Sequence, residues 1–420
     1  MSGRDPFCQP RRSRSGAGLT LVFVGVLVAG AATGSLPGHE RGSAASAHRG
    51  VPVPSAPVGP PAPGSAPDSS TPDSAASAHR SSSPVSPSEQ VARAAAEAMA
   101  AGKSPVEAAE HAVSRSGDRW GAVYSPGDYE EFQDALDGRY TGVGLWARRA
   151  RDGRIDVTEV QTGSPAADAG IRAGDRLRSV DGEKVDGRPV TDVVSLLRGD
   201  ADDAPAGTSV TLGLQRGSHT WTRTLRRARL STDSVSVRRL SDGTTVIKIT
   251  AFTKGAGDKV RTAVRGAPAR SGIVLDLRGN SGGLVTEAVT TASAFLDGGL
   301  VATYDVDGSQ RALHAEPGGD TTRPLVALVD GGTMSAAELL TGALKDRGRA
   351  LVVGSRTFGK GSVQMPTRLP DGSVAELTVG HYRTPAGRSV DGHGITPDLD
   401  AGTDPMSRAC TVLTGLGDPS

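Results

Sequence analysis

The chain has 420 residues and a mass of 42.8 kDa, and it contains 56 Gly and 27 Pro but only 3% aromatic residues. So much Gly and Pro excludes one long coiled coil, and Gly shows no three-residue period, which excludes a collagen. A net charge of +1 gives no reason to expect a nucleic-acid partner, and the length allows about two or three domains.

The chain begins with an export pattern. Arg11, Arg12 and Arg14 precede the apolar run LTLVFVGVLVAGAAT at 19–33. This order predicts that residues 1–34 are either a cleaved signal peptide or a retained membrane anchor. Positive charge on the N-terminal side places the rest of the chain outside the cytoplasm in both cases. We therefore expect an extracytoplasmic protein, secreted or membrane-anchored.

A low-complexity segment follows. Ten of the 27 prolines lie in Val51–Pro87, where charged residues are few. Such a composition cannot bury enough apolar surface to offset the entropy lost on ordering. It predicts a disordered, partly polyproline linker over 35–87.

Cysteine and histidine are too sparse for a disulfide framework or a metal site. Cys8 lies in the export segment and cannot pair with Cys410 in the mature chain, and the eight His are scattered. No P-loop or dinucleotide fingerprint follows a predicted strand. We therefore expect no metal and no cofactor.

Three Ser-Pro-x-acid segments, at 86–89, 104–107 and 125–128, place Ser at the N-cap, Pro at N1 and an acidic residue at N3. They predict a helical N-terminal region over 88–139. Residues 140–229 read as a small β-rich domain with one helix, Val190–Arg198. Its strand candidates are Arg154–Val160, Arg176–Val180, Val210–Gln215 and Thr220–Leu225.

From 230 to 400 the pattern becomes β–α alternation, which predicts an α/β core before a C-terminal tail at 401–420. Predicted strands are Thr245–Ile249, Ile273–Leu277, Leu325–Val329 and Ala350–Val353; predicted helices are Asp258–Arg265, Leu284–Phe295 and Ala336–Lys345.

Ser335 is a candidate nucleophile, because it follows a buried strand and opens a helix whose first N–H groups could stabilise an oxyanion. The same residues, Ser335-Ala336-Ala337-Glu338, also read as a plain capping box.

Two kinds of base could serve this serine. His381 or His393 could act with Asp276 or Asp391. The alternative is Lys360, in a Gly-flanked turn. A lysine base must be neutral, and Gln364, four residues on, could hold its amine.

The segment DLRGNSGG at 276–283 ends a predicted strand with two glycines. It reads either as an anion-binding nest or as a tight turn. Taken singly, these patterns leave the chemistry open.

Together the segments resemble the carboxy-terminal processing peptidases, also called tail-specific proteases, of the serine S41 type. The matching motifs are LDLRGNSGGL (275–284), GGTMSAAELLTGALKD (331–346), GSRTFGKGSVQ (354–364) and GHGITPDLD (392–400). In the β-rich domain, TGVGL (141–145) and GSPAADAGIRAGDRLRSVDGEKV (163–185) look like a PDZ domain. The resemblance covers about residues 120–400, in the family's order.

The resemblance implies a multidomain α/β fold: a helical N-terminal region, a PDZ domain and a crotonase-like Ser/Lys peptidase core. It implies Ser335 as nucleophile, Lys360 as general base and Gln364 as orienter of the lysine. Ser335 and Lys360 keep the family spacing of 25 residues, and Gln364 follows four residues later. Backbone N–H groups of Gly282, Gly283 and Ala336 would form the oxyanion hole, while Asp276, Arg278 and Glu338 match structural positions.

The PDZ resemblance indicates the substrate class. The backbone of Gly142, Val143, Gly144 and Leu145 would bind a terminal carboxylate, with Val190–Arg198 as the other wall of the groove. We therefore expect protein or peptide substrates recognised by their C-terminal tails. The basic run from Arg223 to Arg239 reads as a solvated strand face, and no nucleic-acid partner is expected.

Two alternatives stay open. One is a catalytically silent PDZ-bearing binding protein, and the other is the Ser-His-Asp hydrolase. The sequence predicts no oligomeric state.

Overall fold

The structure is a computed structural model that describes residues 86–199, 204–269, 271–306 and 309–417. The predicted export segment, and the predicted linker up to residue 85, lie outside the described residues. Within these ranges no helix is both long enough and apolar enough to cross a membrane.

The N-terminal region is helical, as predicted. Its elements are α1 (Pro87–Ala100), α2 (Pro105–Ser116), β1 (Ala122–Tyr124) and α3 (Pro126–Leu136). Ser86, Ser104 and Ser125 each accept a hydrogen bond from the backbone N–H three residues on, so the predicted N-caps are confirmed. The predicted linker has a late C-terminal bound, because Pro87 is already the first helical residue.

The β-rich domain follows. Its elements are β2 (Arg139–Gly142), β3 (Leu145–Arg149), β4 (Ile155–Val160), α4 (Pro165–Asp168), β5 (Arg176–Val180), β6 (Glu183–Lys184), α5 (Val190–Arg198), β7 (Ser209–Arg216), β8 (His219–Arg226) and β9 (Ala228–Ser231). The sheet runs β3-β4-β5-β7-β8, with β6 added to β5. Apolar side chains of the strands meet Val193 and Leu197 of α5, which gives the domain its own core.

Arg227 corrects part of the predicted basic surface. Its side chain is only 5% exposed, and it donates to the carbonyl oxygens of Leu196, Leu197 and Ser209. A guanidinium carries five donors, so one side chain satisfies the last carbonyls of α5 and joins them to β7.

The rest of the chain forms the core. Its elements are β10 (Val235–Arg239), β11 (Thr245–Ile249), α6 (Ala256–Arg265), β12 (Ile273–Asp276), α7 (Val285–Ser293), β13 (Leu300–Val306), β14 (Ser309–His314), β15 (Leu325–Val329), α8 (Ala336–Asp346), β16 (Leu351–Gly354), β17 (Ser362–Arg368), β18 (Val374–Arg383), β19 (Leu399–Asp400) and α9 (Pro405–Gly417). The predicted strands and helices of the β–α alternation are all present, shifted by at most two residues.

The main core sheet has the order β10-β11-β12-β15-β16-β19 and is parallel except for β10. One face packs on α6, α7 and α8, and the other on α9. Burial on both faces explains why β12 and β15 read as continuous apolar runs rather than alternating ones.

A second, antiparallel sheet has the order β1-β18-β13-β14, with β17 paired to β18. The N-terminal helices pack on it through Val91, Val113 and Leu377. This sheet was not predicted. His381, one of the two candidate histidine bases, lies within its ten-residue strand β18.

Candidate active site

Three loops converge at the carboxyl edge of the main sheet, after β12, β15 and β16. Parallel strands end at the same edge, so the polar residues that follow them meet there. Met334 N–H donates to the Asn280 carbonyl at 2.8 Å, and Phe358 N–H donates to the Thr333 carbonyl at 3.1 Å. The segments holding Ser335, Lys360 and the two glycines are therefore one site.

Ser335 has an unusual backbone, with φ +55° and ψ −117°. A non-Gly residue in this region is strained and persists only where its surroundings fix it. Gly282 lies directly against it: a Cβ at Gly282 would be 2.9 Å from the Cβ of Ser335 and 3.0 Å from the Met334 carbonyl oxygen. With φ +103°, this position needs glycine for both space and conformation.

The predicted oxyanion hole needs one correction. Gly282 N–H already donates to Asn280 Oδ1 at 2.9 Å, and buried Asn280 is itself held by the Ile249 carbonyl. Gly282 is therefore a contact residue and not a free donor. The N–H groups of Gly283 and Ala336 donate to no other group in the described part of the chain.

Lys360 is held through its side chain. Its Nζ donates to Gln364 Oε1 at 2.8 Å, and Gln364 Nε2 donates to the Trp120 carbonyl. Burial lowers the pKa of Lys360, against the opposing charges of Glu376 and Asp118. A buried amine with a lowered pKa is what a lysine base requires.

Two buried side chains join the backbones of Ser335 and Lys360. The carboxylate of Glu338 accepts from Ser335 N–H at 2.9 Å and from Lys360 N–H at 2.8 Å. It also accepts from Gly359 N–H at 2.7 Å. Burial raises the pKa of Glu338, and its hydrogen bonds oppose that rise.

Tyr382 makes the second link. Its hydroxyl lies 2.9 Å from the Ser335 carbonyl oxygen and 3.2 Å from that of Lys360, and burial raises its pKa well above the usual value. No sequence pattern singled out Tyr382, which comes from a strand of the unpredicted second sheet.

Neither of the two candidate histidines completes a triad with Ser335 in the described part of the chain. His381 is exposed with its Nε2 3.8 Å from Asp391 Oδ2, while His393 Nδ1 lies 2.7 Å from the Asp391 carbonyl oxygen. Among the described residues, the Ser335 hydroxyl shares no hydrogen bond with these rings or with the Lys360 amine. Catalytic hydrogen bonds often tighten only when substrate binds.

Asp276 is also unavailable to a histidine. Arg278 donates to both of its carboxylate oxygens, at 2.8 and 2.7 Å, and Lys248 Nζ lies 3.5 Å away. Burial alone would raise the pKa of Asp276, but these cations and hydrogen bonds lower it overall. The ion pair of Asp276 with Arg278 fixes the start of the loop that carries Gly282 and Gly283. In the described ranges no three His, Cys, Asp or Glu side chains are grouped as metal ligands.

The β-rich domain carries a groove between residues 142–146 and helix α5. The carbonyls of Val143 and Gly144 are used, by the N–H groups of Ala166 and Gln161. The N–H groups of Val143 and Gly144 donate to nothing within the described residues. Arg198 also lines the groove, 5.1 Å from the Tyr140 ring centroid, and burial lowers its pKa to about 10.

The comparisons with known proteins agree with this architecture. Residues 243–401 match the family described as Peptidase family S41, and residues 157–216 match the PDZ domain family. The chain is 36% identical over 311 residues to "Carboxyl-terminal-processing peptidase 3, chloroplastic" of Arabidopsis thaliana, covering 69% of this chain and 59% of that protein. It is 32% identical over 277 residues to "Carboxy-terminal processing protease CtpA" of Bacillus subtilis, covering 65% and 58%.

The matched region thus spans slightly under three fifths of these relatives' own length. A solved structure of a putative S41 protease from Bacteroides fragilis is 17% identical and has a TM-score of 0.51, covering 75% of this chain and 91% of that one. At that identity the likeness concerns the fold alone. Residues 243–401 thus belong to peptidase family S41 and follow a PDZ domain, and the curated relatives that the chain resembles are named as C-terminal processing peptidases.

Proposed function

We propose that this chain is a serine endopeptidase that cuts exported proteins near their C-termini, with Ser335 as nucleophile, Lys360 as general base and Gln364 as orienter. The observation that carries the proposal is the partly buried amine of Lys360, fixed by Gln364 and joined to strained Ser335 through Glu338 and Tyr382. The two processing peptidases named above support the reaction type.

In the proposed mechanism, neutral Lys360 takes the proton of Ser335 Oγ as that oxygen attacks the substrate carbonyl carbon. The N–H groups of Gly283 and Ala336 stabilise the resulting oxyanion, each donor contributing about 3 kcal/mol. Collapse breaks the C–N bond, and Lys360 returns the proton to the leaving amine. Water then attacks the acyl-enzyme by the same route. The chemistry proposed for these residues needs no cofactor.

The PDZ groove is proposed to select the substrate. The free N–H groups of Val143 and Gly144 suit a terminal carboxylate, and the chain between Gly142 and Leu145 suits an added peptide strand. Arg198 supplies positive charge in the same groove.

We also propose that the protein works outside the cytoplasm, secreted or membrane-anchored. The support is the Arg-rich start followed by the apolar run at 19–33.

Substitution at the site tests the reaction type. Wild type, Ser335→Ala, Lys360→Ala and His381→Ala are compared on an unstructured protein substrate, with thermal unfolding as the control for folding. We expect wild type and His381→Ala to cleave and the other two to be inactive. Activity retained by Lys360→Ala would refute the Ser/Lys mechanism. Loss of activity in His381→Ala would favour the histidine alternative, and an inactive wild type would favour the binding protein.

Amidation of the substrate's C-terminus tests tail recognition. Removing the terminal charge should weaken cleavage of the same sequence, because the groove offers N–H donors and a cation. Equal cleavage of the amidated and free substrates would refute a role for the groove in binding the carboxylate.

A further inference from the structure

The loop between α2 and β1 is fastened to the core beside Gln364. Asp118 Oδ1 accepts the N–H groups of Trp120 and Gly121 at 3.0 and 2.9 Å. The same carboxylate accepts the backbone N–H and the hydroxyl of Thr378 at 2.7 and 2.8 Å. Thr378 is the β18 residue paired with Gln364 in the ladder between β17 and β18. The loop is therefore anchored where the lysine's hydrogen-bond partner lies.

Trp120 makes three contacts from this anchored loop. Its carbonyl accepts from Gln364 Nε2, its ring centroid lies 5.1 Å from Lys360 Nζ, and its ring lies 5.8 Å from the ring of Phe358. The residue is only 7% exposed. Two of these contacts are with Lys360, the proposed base, and Gln364, the residue proposed to orient it.

We propose that Trp120 is a positioning residue for the lysine base: its ring excludes water from the amine, and its carbonyl fixes which end of the Gln364 amide faces Lys360. An amide whose nitrogen is committed to the Trp120 carbonyl must present its oxygen to the lysine. The inference rests on the proposed function and assigns part of the base's environment to the N-terminal region.

The ring has two opposing effects on the lysine. Covering the amine disfavours the ammonium form, whereas the face of the indole attracts a cation by about 0.5–2 kcal/mol. The charged groups that act on the amine are Glu376 of β18 and Asp118 of the loop. Arg119 lies over the Trp120 ring, with its guanidinium 4.4 Å from the ring centroid. Burial outweighs the two carboxylates, because the pKa of Lys360 is lowered despite them, and the Trp120 ring contributes to that burial. Removing the ring should therefore make the amine harder to deprotonate.

The first experiment is a pH profile of kcat/KM for Trp120→Leu, Trp120→Phe and wild type. The acid limb should move to higher pH by about one unit in Trp120→Leu, and by less in Trp120→Phe, which keeps an aromatic cover. Trp221→Leu is the matched control, since the Trp221 ring on β8 covers Arg216 at 5.3 Å in the PDZ domain. Its limb should stay in place.

A uniform fall in kcat/KM with an unmoved limb would show that Trp120 only supports the fold, and would overturn the inference. A shift to lower pH would overturn it too, because the cation–ring attraction would then be the larger effect. If Trp120→Leu does not fold, Trp120→Phe tests the same sign with a smaller shift.

A second measurement does not depend on activity. The Lys360 Cε resonance, assigned with Lys360→Arg, is titrated by nuclear magnetic resonance in Ser335→Ala with and without Trp120→Leu. The titration midpoint should rise when the ring is removed, and an unchanged or lower midpoint contradicts the inference. An inactive wild type would refute the proposed function, whereas this titration would still decide the role of Trp120.

Discussion

Removing one hydroxyl, by Tyr382→Phe, tests whether the backbone link between Ser335 and Lys360 matters. The hydroxyl lies 2.9 and 3.2 Å from the two carbonyl oxygens, and the residue is 3% exposed. The Ser335 carbonyl would keep the N–H groups of Glu338 and Leu339, whereas that of Lys360 would lose the hydroxyl, and losing such hydrogen bonds costs about 1–2 kcal/mol. Glu338 still joins the two segments, so we expect the variant to fold.

The matched control is Tyr304→Phe. Tyr304 pairs with Tyr382 across β13 and β18, and within the described residues its hydroxyl makes no hydrogen bond. Chemical denaturation should show the loss of about 1–2 kcal/mol only in Tyr382→Phe. If all of that free energy is lost from the transition state, kcat/KM falls about 5- to 30-fold. Equal stability and equal kcat/KM in the two variants would refute the link.

Three further predictions use other contacts of the site. Gly282→Ala should lower stability and activity more than Gly348→Ala: both glycines have positive φ, but a Cβ at Gly348 meets nothing within 4 Å. Thermal unfolding and kcat/KM measure this, and equal effects would contradict the crowding at Gly282. Glu338→Gln should lose two of the carboxylate's acceptor contacts and at least ~10-fold in activity. Glu287→Gln, which also removes a carboxylate bound to backbone N–H groups, should affect stability alone; comparable activity losses would argue against the role of Glu338. Lys360→Met should flatten the pH dependence of stability at alkaline pH. Between the lowered pKa of the folded state and the ordinary value of 10.5, the unfolded chain binds more protons, so the wild-type free energy of unfolding rises with pH. The free energy of unfolding of both proteins is measured by denaturation across this pH range. An equal dependence on pH in the two proteins would exclude Lys360 as the source of the rise.

The main sheet could be predicted because its strands are buried on both faces and read as short apolar runs. Ser335 and Lys360 follow such strands, so parallel pairing alone brings their segments to one edge. The second sheet could not be predicted in the same way. Its strands β17 and β18 mix buried and exposed positions, and β14 is exposed along most of its length.

Residues that contact the site but lie far from it in sequence could not be predicted either. Trp120 reaches Gln364 across 244 positions of sequence, and nothing local marks its carbonyl as an acceptor. At Gly282 the sequence pattern predicted a role that the structure changes. The two glycines could be recognised as a motif, but only the structure shows that the Gly282 N–H already donates to Asn280. The spacing of the motifs predicted which residues lie at the centre of the site. The hydrogen-bond partners of those residues could be assigned only from the fold.

The chain enters and leaves the PDZ domain through a two-stranded ribbon. β2 and β9 are antiparallel partners, with Arg139 opposite Ser231 and Gly142 opposite Ala228. Opposed residues in such a ladder lie about 4.5–5.5 Å apart, so a short turn could replace everything between Arg139 and Ser231. The two ends of the PDZ domain therefore lie side by side, and deleting the domain would leave the chain path of the peptidase core intact.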